Sequence, residues 1–188
     1  MEQNLVFSFK NLEAGRVWTL VTAIFVHANL IHLAGNMIFL YVFGNTLESV
    51  STNPKRKMLG VFFLGGILSF LFSIPFFPPS ETLVGASAAI FTLAAVDMLI
   101  KPLRWSWLLL MPVGMVAIVY FLYNALAVYL RVQSDVAYIG HVIGFLLGVP
   151  FGIAWSPNWK KNLGISLILL AVYFVALYLL TQYVLPKL

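Results

Sequence analysis

From Leu163 to Val184 the chain reads LGISLILLAVYFVALYLLTQYV, without a single Asp, Glu, Lys, Arg or His. A helix of about 20 such residues matches the ~30 Å hydrocarbon core of a bilayer. Helices that are apolar on every face need a large surrounding core in water, which a chain of 188 residues cannot supply several times over. The pattern nevertheless recurs. Six spans are predicted: Ile31 to Leu47, Met58 to Phe77, Val84 to Ile100, Trp105 to about Leu126, Tyr138 to Trp155, and Leu163 to Val184. The expected fold class is an all-α polytopic membrane protein. Composition agrees, with 62% hydrophobic residues, 9% charged ones and a mean hydropathy of +0.97.

The connections between these spans are short, so one bundle is expected rather than separated domains. Alternating the spans across a membrane sorts the eleven basic residues. Lys55, Arg56, Lys57, Lys101, Arg104, Lys160 and Lys161 fall on one side, and Lys10, Arg16, Arg131 and Lys187 on the other. The richer side is expected to be cytoplasmic. Trp105, Trp155 and Trp159 then stand beside basic residues as anchors at that inner interface. The net charge of +5 records this orientation rather than a nucleic-acid partner. The absence of cysteine excludes thiol catalysis and thiolate metal sites. Residues 1 to 18 carry Glu2, Lys10, Glu13 and Arg16 without a continuous apolar core, so no cleavable leader is expected. Residues 18 to 26 are apolar but short and read as an interfacial or partly embedded segment on the outer side.

Polar groups within such spans are costly and mark function by default. His27, His32 and Asn36 occur in VHANLIHLAGNM, and His141 in YIGHVIGFLLG. His32 and Asn36 are spaced i, i+4 and share one helix face about 6 Å apart along the axis. Two converging donors suit either a polar clamp between helices or stabilisation of an oxyanion. Ser87, in LVGASAAIF, begins another span, and the topology puts it at the same outer depth as His32, Asn36 and His141. Gly144 and Gly148 lie at i+3 and i+7 from His141, a small-residue face that lets two helices approach closely. Serine needs a base to lose its proton as it attacks, and neutral imidazole is the usual supplier. Asp97 is about 15 Å deeper along its helix than Ser87 and cannot orient that base. Asp135 reads as a solvated loop charge. A Ser87–His141 dyad without an acid is expected, its ring held by packing against Phe91.

Taken together, residues 16 to 155 resemble the rhomboid intramembrane serine proteases. HANLIHLAGNM is similar to the family's His-x4-His-x3-Asn segment, GASAAIF to its Gly-x-Ser motif, and HVIGFLLG to its His-x2-Gly-x3-Gly motif. The resemblance implies Ser87 as nucleophile and His141 as general base and then acid. It implies His32, Asn36 and the Ser87 backbone N–H as oxyanion donors, with Gly85 and His27 in support. The partners implied are transmembrane protein substrates within a lipid bilayer, and no cofactor or metal is implied. A multi-pass cell-membrane protein is expected, its active site in a hydrophilic cavity open to the extracytoplasmic side. Phe77 to Leu83 and Tyr123 to Gln133 are the expected gates.

Three departures from the family stand out. Ala88 follows the serine where glycine is usual, Trp18-Thr19 replaces the usual Trp-Arg pair with Arg16 nearby, and no span precedes the outer segment. Residues 1–155 are accordingly read as a rhomboid-like catalytic core lacking its first helix, and 156–188 as an inner loop with an additional C-terminal transmembrane helix. That last helix runs in the direction of the missing one and is a candidate to take its place. A catalytically weak or inactive rhomboid-like membrane-protein binding factor is the rival reading, and a small transporter or channel a further one. A zinc protease is disfavoured because no His-Glu-x-x-His helix is present.

Overall fold

A computed structural model describes residues 4–50, 53–132 and 136–184; Gln133, Asp135 and Lys187 lie outside the described residues. Among the described residues eight α-helices follow one another: α1 (Phe9–Glu13), α2 (Thr19–Phe25), α3 (Leu30–Val50), α4 (Pro54–Ser73), α5 (Ser87–Ile100), α6 (Val113–Tyr129), α7 (Tyr138–Trp155) and α8 (Trp159–Leu179). Two-residue strands β1 (Trp105–Ser106) and β2 (Met111–Pro112) pair antiparallel between α5 and α6. The helices are of two kinds. Leu30–Ser49, Pro54–Phe76, Tyr138–Trp155 and Trp159–Tyr183 are long and apolar enough to cross a bilayer, whereas α5 and α6 are shorter. The six predicted spans thus become four helices of crossing length and two shorter apolar ones.

The shortening has a local cause in each case. The third span was expected from Val84, but Gly85 takes φ +104°, a conformation outside the helical region, and α5 starts only at Ser87. The fourth was expected from Trp105, but residues 105–112 form the small hairpin, with Leu110 at φ 56° and the Ser106 hydroxyl accepting the Leu109 N–H at 3.2 Å. Pro112, extended at ψ 137°, then opens α6 as its N-cap.

A short α5 is tolerable because it is the central helix. α3, α4, α6, α7 and α8 all pack on it, and every residue from Ala88 to Leu99 except Phe91 is buried. Irregular backbone at membrane depth is permitted where protein or a cavity surrounds it, so Ser87 can begin a helix inside the bundle. The tightest contact is with α7. A Cβ added at Gly144 would stand 2.2 Å from the Ala88 carbonyl oxygen, and one at Gly148 2.2 Å from that of Thr92. The two backbones touch along this seam, and Thr92 crosses it by donating its hydroxyl to the Gly144 carbonyl at 2.9 Å.

At the end of the bundle where α3 and α5 finish, side chains cap the helices. The Arg104 guanidinium donates to the Asn45 and Thr46 carbonyls at the end of α3 and to the Ser49 hydroxyl. The Asn162 amide, on α8, donates to Leu99 O at 2.7 Å and Ile100 O at 3.0 Å, closing the end of α5. α8 packs on α5 and α6. Lys57 lies 4.9 Å from the Trp155 ring centre and Lys160 5.5 Å from that of Trp159. The apolar stretch 18 to 26, expected as an interfacial or partly embedded segment, is embedded in part in the bundle. It forms α2, with Ala23 and Ile24 fully buried and Ile24 Cδ1 against Gly66 of α4.

Candidate active site

Gly85 organises the site. Its N–H donates to the Ala23 carbonyl at 2.8 Å, so α2 holds the loop that enters α5. An added Cβ there would come 2.8 Å from His32 Cε1, 3.0 Å from His32 Nε2 and 3.5 Å from Asn36 Nδ2. Only a bare α-carbon leaves room for those two donors beside the entry to α5. Asn29 starts α3 by accepting the His32 N–H on its side-chain oxygen at 2.8 Å, which sets the first turn that carries His32. The Asn36 Nδ2 is buried and has no partner among the described residues. Together with the Ser87 N–H, which has no intrahelical partner at the start of α5, these groups converge where a negative oxygen can be received.

His27 packs behind this cluster. Its Nδ1 is 3.1 Å from the Phe25 carbonyl, and its ring meets His32 edge-on at 5.1 Å between centres. That hydrogen bond puts the proton on Nδ1, because a carbonyl can only accept.

On the other side of Ser87 stands His141, one turn inside α7. The Ser87 Oγ and His141 Nε2 are 2.7 Å apart. The imidazole stacks on Phe91 with centres 4.7 Å apart and planes 5° from parallel. Ala88 does not disturb this contact. Gly144 faces the carbonyl, carbonyl carbon and α-carbon of Ala88, so the extra methyl stays out of the closest approach. All six polar or flanking positions singled out in the sequence, His27, His32, Asn36, Gly85, Ser87 and His141, meet in one region, with Phe91, Gly144 and Gly148 packed about them.

One residue escaped the sequence reading. Asn124, 3% exposed on α6, places its Oδ1 2.7 Å from His141 Nδ1 and donates through Nδ2 to the Tyr120 carbonyl at 2.8 Å. The signal was available, since Asn124 is a lone amide in the apolar run YFLYNALAVYL, the kind of intramembrane polar residue that marks function.

These groups open on a cavity of about 560 Å³ bounded by α3, α5, α6, α7 and the loop before α5. The expectation of a hydrophilic cavity needs correction. Side chains such as Ile31, Phe39, Phe43, Phe77, Ile90 and Phe91 make its wall mostly apolar, and polar groups come from His32, Asn36, Ser87, Asn124 and His141, with Asn29, Glu81 and Thr82 also in the wall. The loop expected as a gate at Phe77 to Leu83 is tied down. Phe7 and Leu83 exchange backbone hydrogen bonds at 3.2 and 2.8 Å, Lys10 donates to the Pro79 carbonyl at 2.8 Å, and the Phe7 ring stacks on Phe70 at 5.0 Å.

A family model described as the Rhomboid domain matches residues 14–158. Rhomboid-like protease 1 of Toxoplasma gondii is 29% identical over 181 residues, covering 89% of this chain and 60% of that protein. Rhomboid-like protein 11, chloroplastic, of Arabidopsis thaliana is 39% identical over 87 residues, covering 46% of this chain and 30% of the relative. Rhomboid-like protease 2 of Toxoplasma gondii is 24% identical over 147 residues, covering 78% and 50% respectively. The chain therefore spans between 30% and 60% of the length of these relatives.

Proposed function

The chain belongs to the rhomboid family and is a multi-pass membrane protein, and from that premise we propose that it is an intramembrane serine endopeptidase. Its substrates are transmembrane proteins, cut in or near a membrane helix. The observation that carries the reading is the 2.7 Å contact between Ser87 Oγ and His141 Nε2, facing a cavity whose opposite wall presents the His32 and Asn36 donors.

The chemistry follows from the atoms. Ser87 Oγ attacks the scissile carbonyl carbon as its proton passes to His141 Nε2. The carbonyl oxygen, now carrying the negative charge, is received by His32 Nε2–H, Asn36 Nδ2–H and the Ser87 N–H, donors that are oriented before the reaction begins. His141 returns the proton to the leaving amine, the C–N bond breaks and an acyl-serine remains. Water, deprotonated by the same imidazole, releases the acid and restores the hydroxyl. A helical substrate must unwind locally to offer its carbonyl, because its backbone groups are already hydrogen-bonded. The gathering of Lys and Arg in the loops of one side supports a site facing the extracytoplasmic side of a cell membrane.

The test is covalent labelling of detergent-solubilised protein with a fluorophosphonate, adduct mapping by mass spectrometry, and cleavage of a model transmembrane substrate in proteoliposomes. Labelling at Ser87 that vanishes in Ser87→Ala and His141→Ala, together with cleavage by the native chain alone, is expected. Labelling that survives Ser87→Ala, or a native chain inert to probe and substrate, overturns the enzyme reading and favours a membrane-protein binding factor.

A further inference from the structure

We propose that Asn124 is a positioning residue for the base, so that the site works as a Ser87–His141–Asn124 relay with a neutral third member; this rests on the protease reading above. Asn124 Nδ2–H donates to the Tyr120 carbonyl one turn earlier on α6, at 2.8 Å. Turning the amide over would point its oxygen at that carbonyl and set two acceptors against each other. The side-chain oxygen is therefore the atom that faces His141 Nδ1, at 2.7 Å. An amide oxygen only accepts, so Nδ1 carries the proton and Nε2 is left with its lone pair toward Ser87 Oγ at 2.7 Å.

This assignment matters because neutral imidazole exists in two tautomers, and only one can take a proton through Nε2. Stacking on Phe91 fixes the plane of the ring but is indifferent to which nitrogen bears hydrogen. Asn124 supplies what packing cannot. During attack the Ser87 proton moves to Nε2 and the ring becomes an imidazolium, whose Nδ1–H remains hydrogen-bonded to Asn124 Oδ1. When Nε2 gives its proton to the leaving amine, the same tautomer is restored. Asn124 exchanges no proton in either direction. A carboxylate would stabilise the imidazolium more strongly, but Asn124 is 3% exposed within a membrane helix, where a permanent charge is costly and an amide is not.

The experiment has two arms. The first measures the tautomer without turnover, from side-chain ¹⁵N resonances of histidine-labelled protein, with His141 assigned by its loss in His141→Asn. Native protein is expected to show Nδ1–H on His141 and Asn124→Ala a shift toward Nε2–H; a native Nε2–H tautomer, or none changed by Asn124→Ala, overturns the inference whether or not the chain is a protease. The second arm compares kcat and KM. Asn124→Ala is expected to lower kcat roughly 10- to 100-fold with KM within about twofold, short of the roughly 10⁴-fold loss seen when a triad imidazole is forced into the wrong tautomer. Asn124→Asp, which keeps an acceptor at the same atom, is expected to recover most of that rate. Loss of rate that follows thermal stability across both variants, with no recovery in Asn124→Asp, reduces Asn124 to a packing residue and overturns the proposal.

Discussion

The two walls around Ser87 are built in opposite ways. Between α5 and α7 the backbones are in contact through Gly144 and Gly148, and nothing larger than a hydrogen fits at either glycine. Across the cavity, α3 and α6 stand apart, joined near mid-depth by the edge contact of Phe39 with Tyr120 at 4.8 Å between ring centres. The proposed nucleophile and base sit on the closed wall. The proposed oxyanion donors His32 and Asn36, and the proposed positioning residue Asn124, come from the open one. The difference teaches a division of labour. A proton transfer needs a separation held to a few tenths of an ångström, which backbone-to-backbone packing provides, whereas a substrate segment needs a wall that leaves space.

The contrast is most directly broken on the closed wall. Gly148→Leu drives a side chain into the Thr92 carbonyl, and because the obstacle is backbone, α5 and α7 must separate. Loss of 3 kcal/mol or more is expected, at or beyond the upper end of the usual ~1–3 kcal/mol for overpacking, seen as a collapse of thermal stability and of Ser87 labelling together. On the open wall Asn36→Ala removes one donor and leaves the packing of α5 on α7 untouched. It is expected to cost about 3 kcal/mol of transition-state stabilisation, a 10²- to 10³-fold fall in kcat at unchanged melting temperature. Thr92→Val keeps the shape of the seam but deletes the hydroxyl that donates to Gly144 O. A loss of about 1 kcal/mol by chemical or thermal denaturation is expected, with activity reduced only as far as folded protein is. Phe39→Leu loosens the open wall alone, and a change in stability of about 0.5 kcal/mol is expected, with KM moving more than kcat. Should Phe39→Leu destabilise as much as Gly148→Leu, the two walls are not mechanically distinct.

How much of this was legible beforehand differs from residue to residue. His32, Asn36, Ser87 and His141 stood out because each is polar where the surrounding sequence is apolar, and topology alone brought them to one depth. The spacing of Gly144 and Gly148 correctly foretold a close helix contact, since the period of a helix places i+3 and i+7 on one face. Asn124 obeys the same rule and was passed over, because its meaning depends on which nitrogen of a distant ring it meets. The start of α6 was misplaced by eight residues, from Trp105 to Val113, because WSWLLLMP is as apolar as a span and hydropathy does not register the turn at Leu110. The N-terminal strap of Phe7 and Lys10 over the loop before α5 left no trace in periodicity, being made of backbone hydrogen bonds and one ring contact between segments far apart in the chain.

That this is a helical membrane protein, and which side chains are too polar for its apolar spans, is legible in the sequence alone. These follow from local free energies, the cost of a polar group in hydrocarbon and the length needed to cross it. The packing of the helices, by contrast, sets the start of α5 inside the bundle, the place of α8 on α5 and α6, the mostly apolar cavity and the meeting of Asn124 with His141. Each depends on which faces of separate helices come together. That choice is set by shape and hydrogen-bond complementarity between segments far apart in the chain, about which composition and period carry no information.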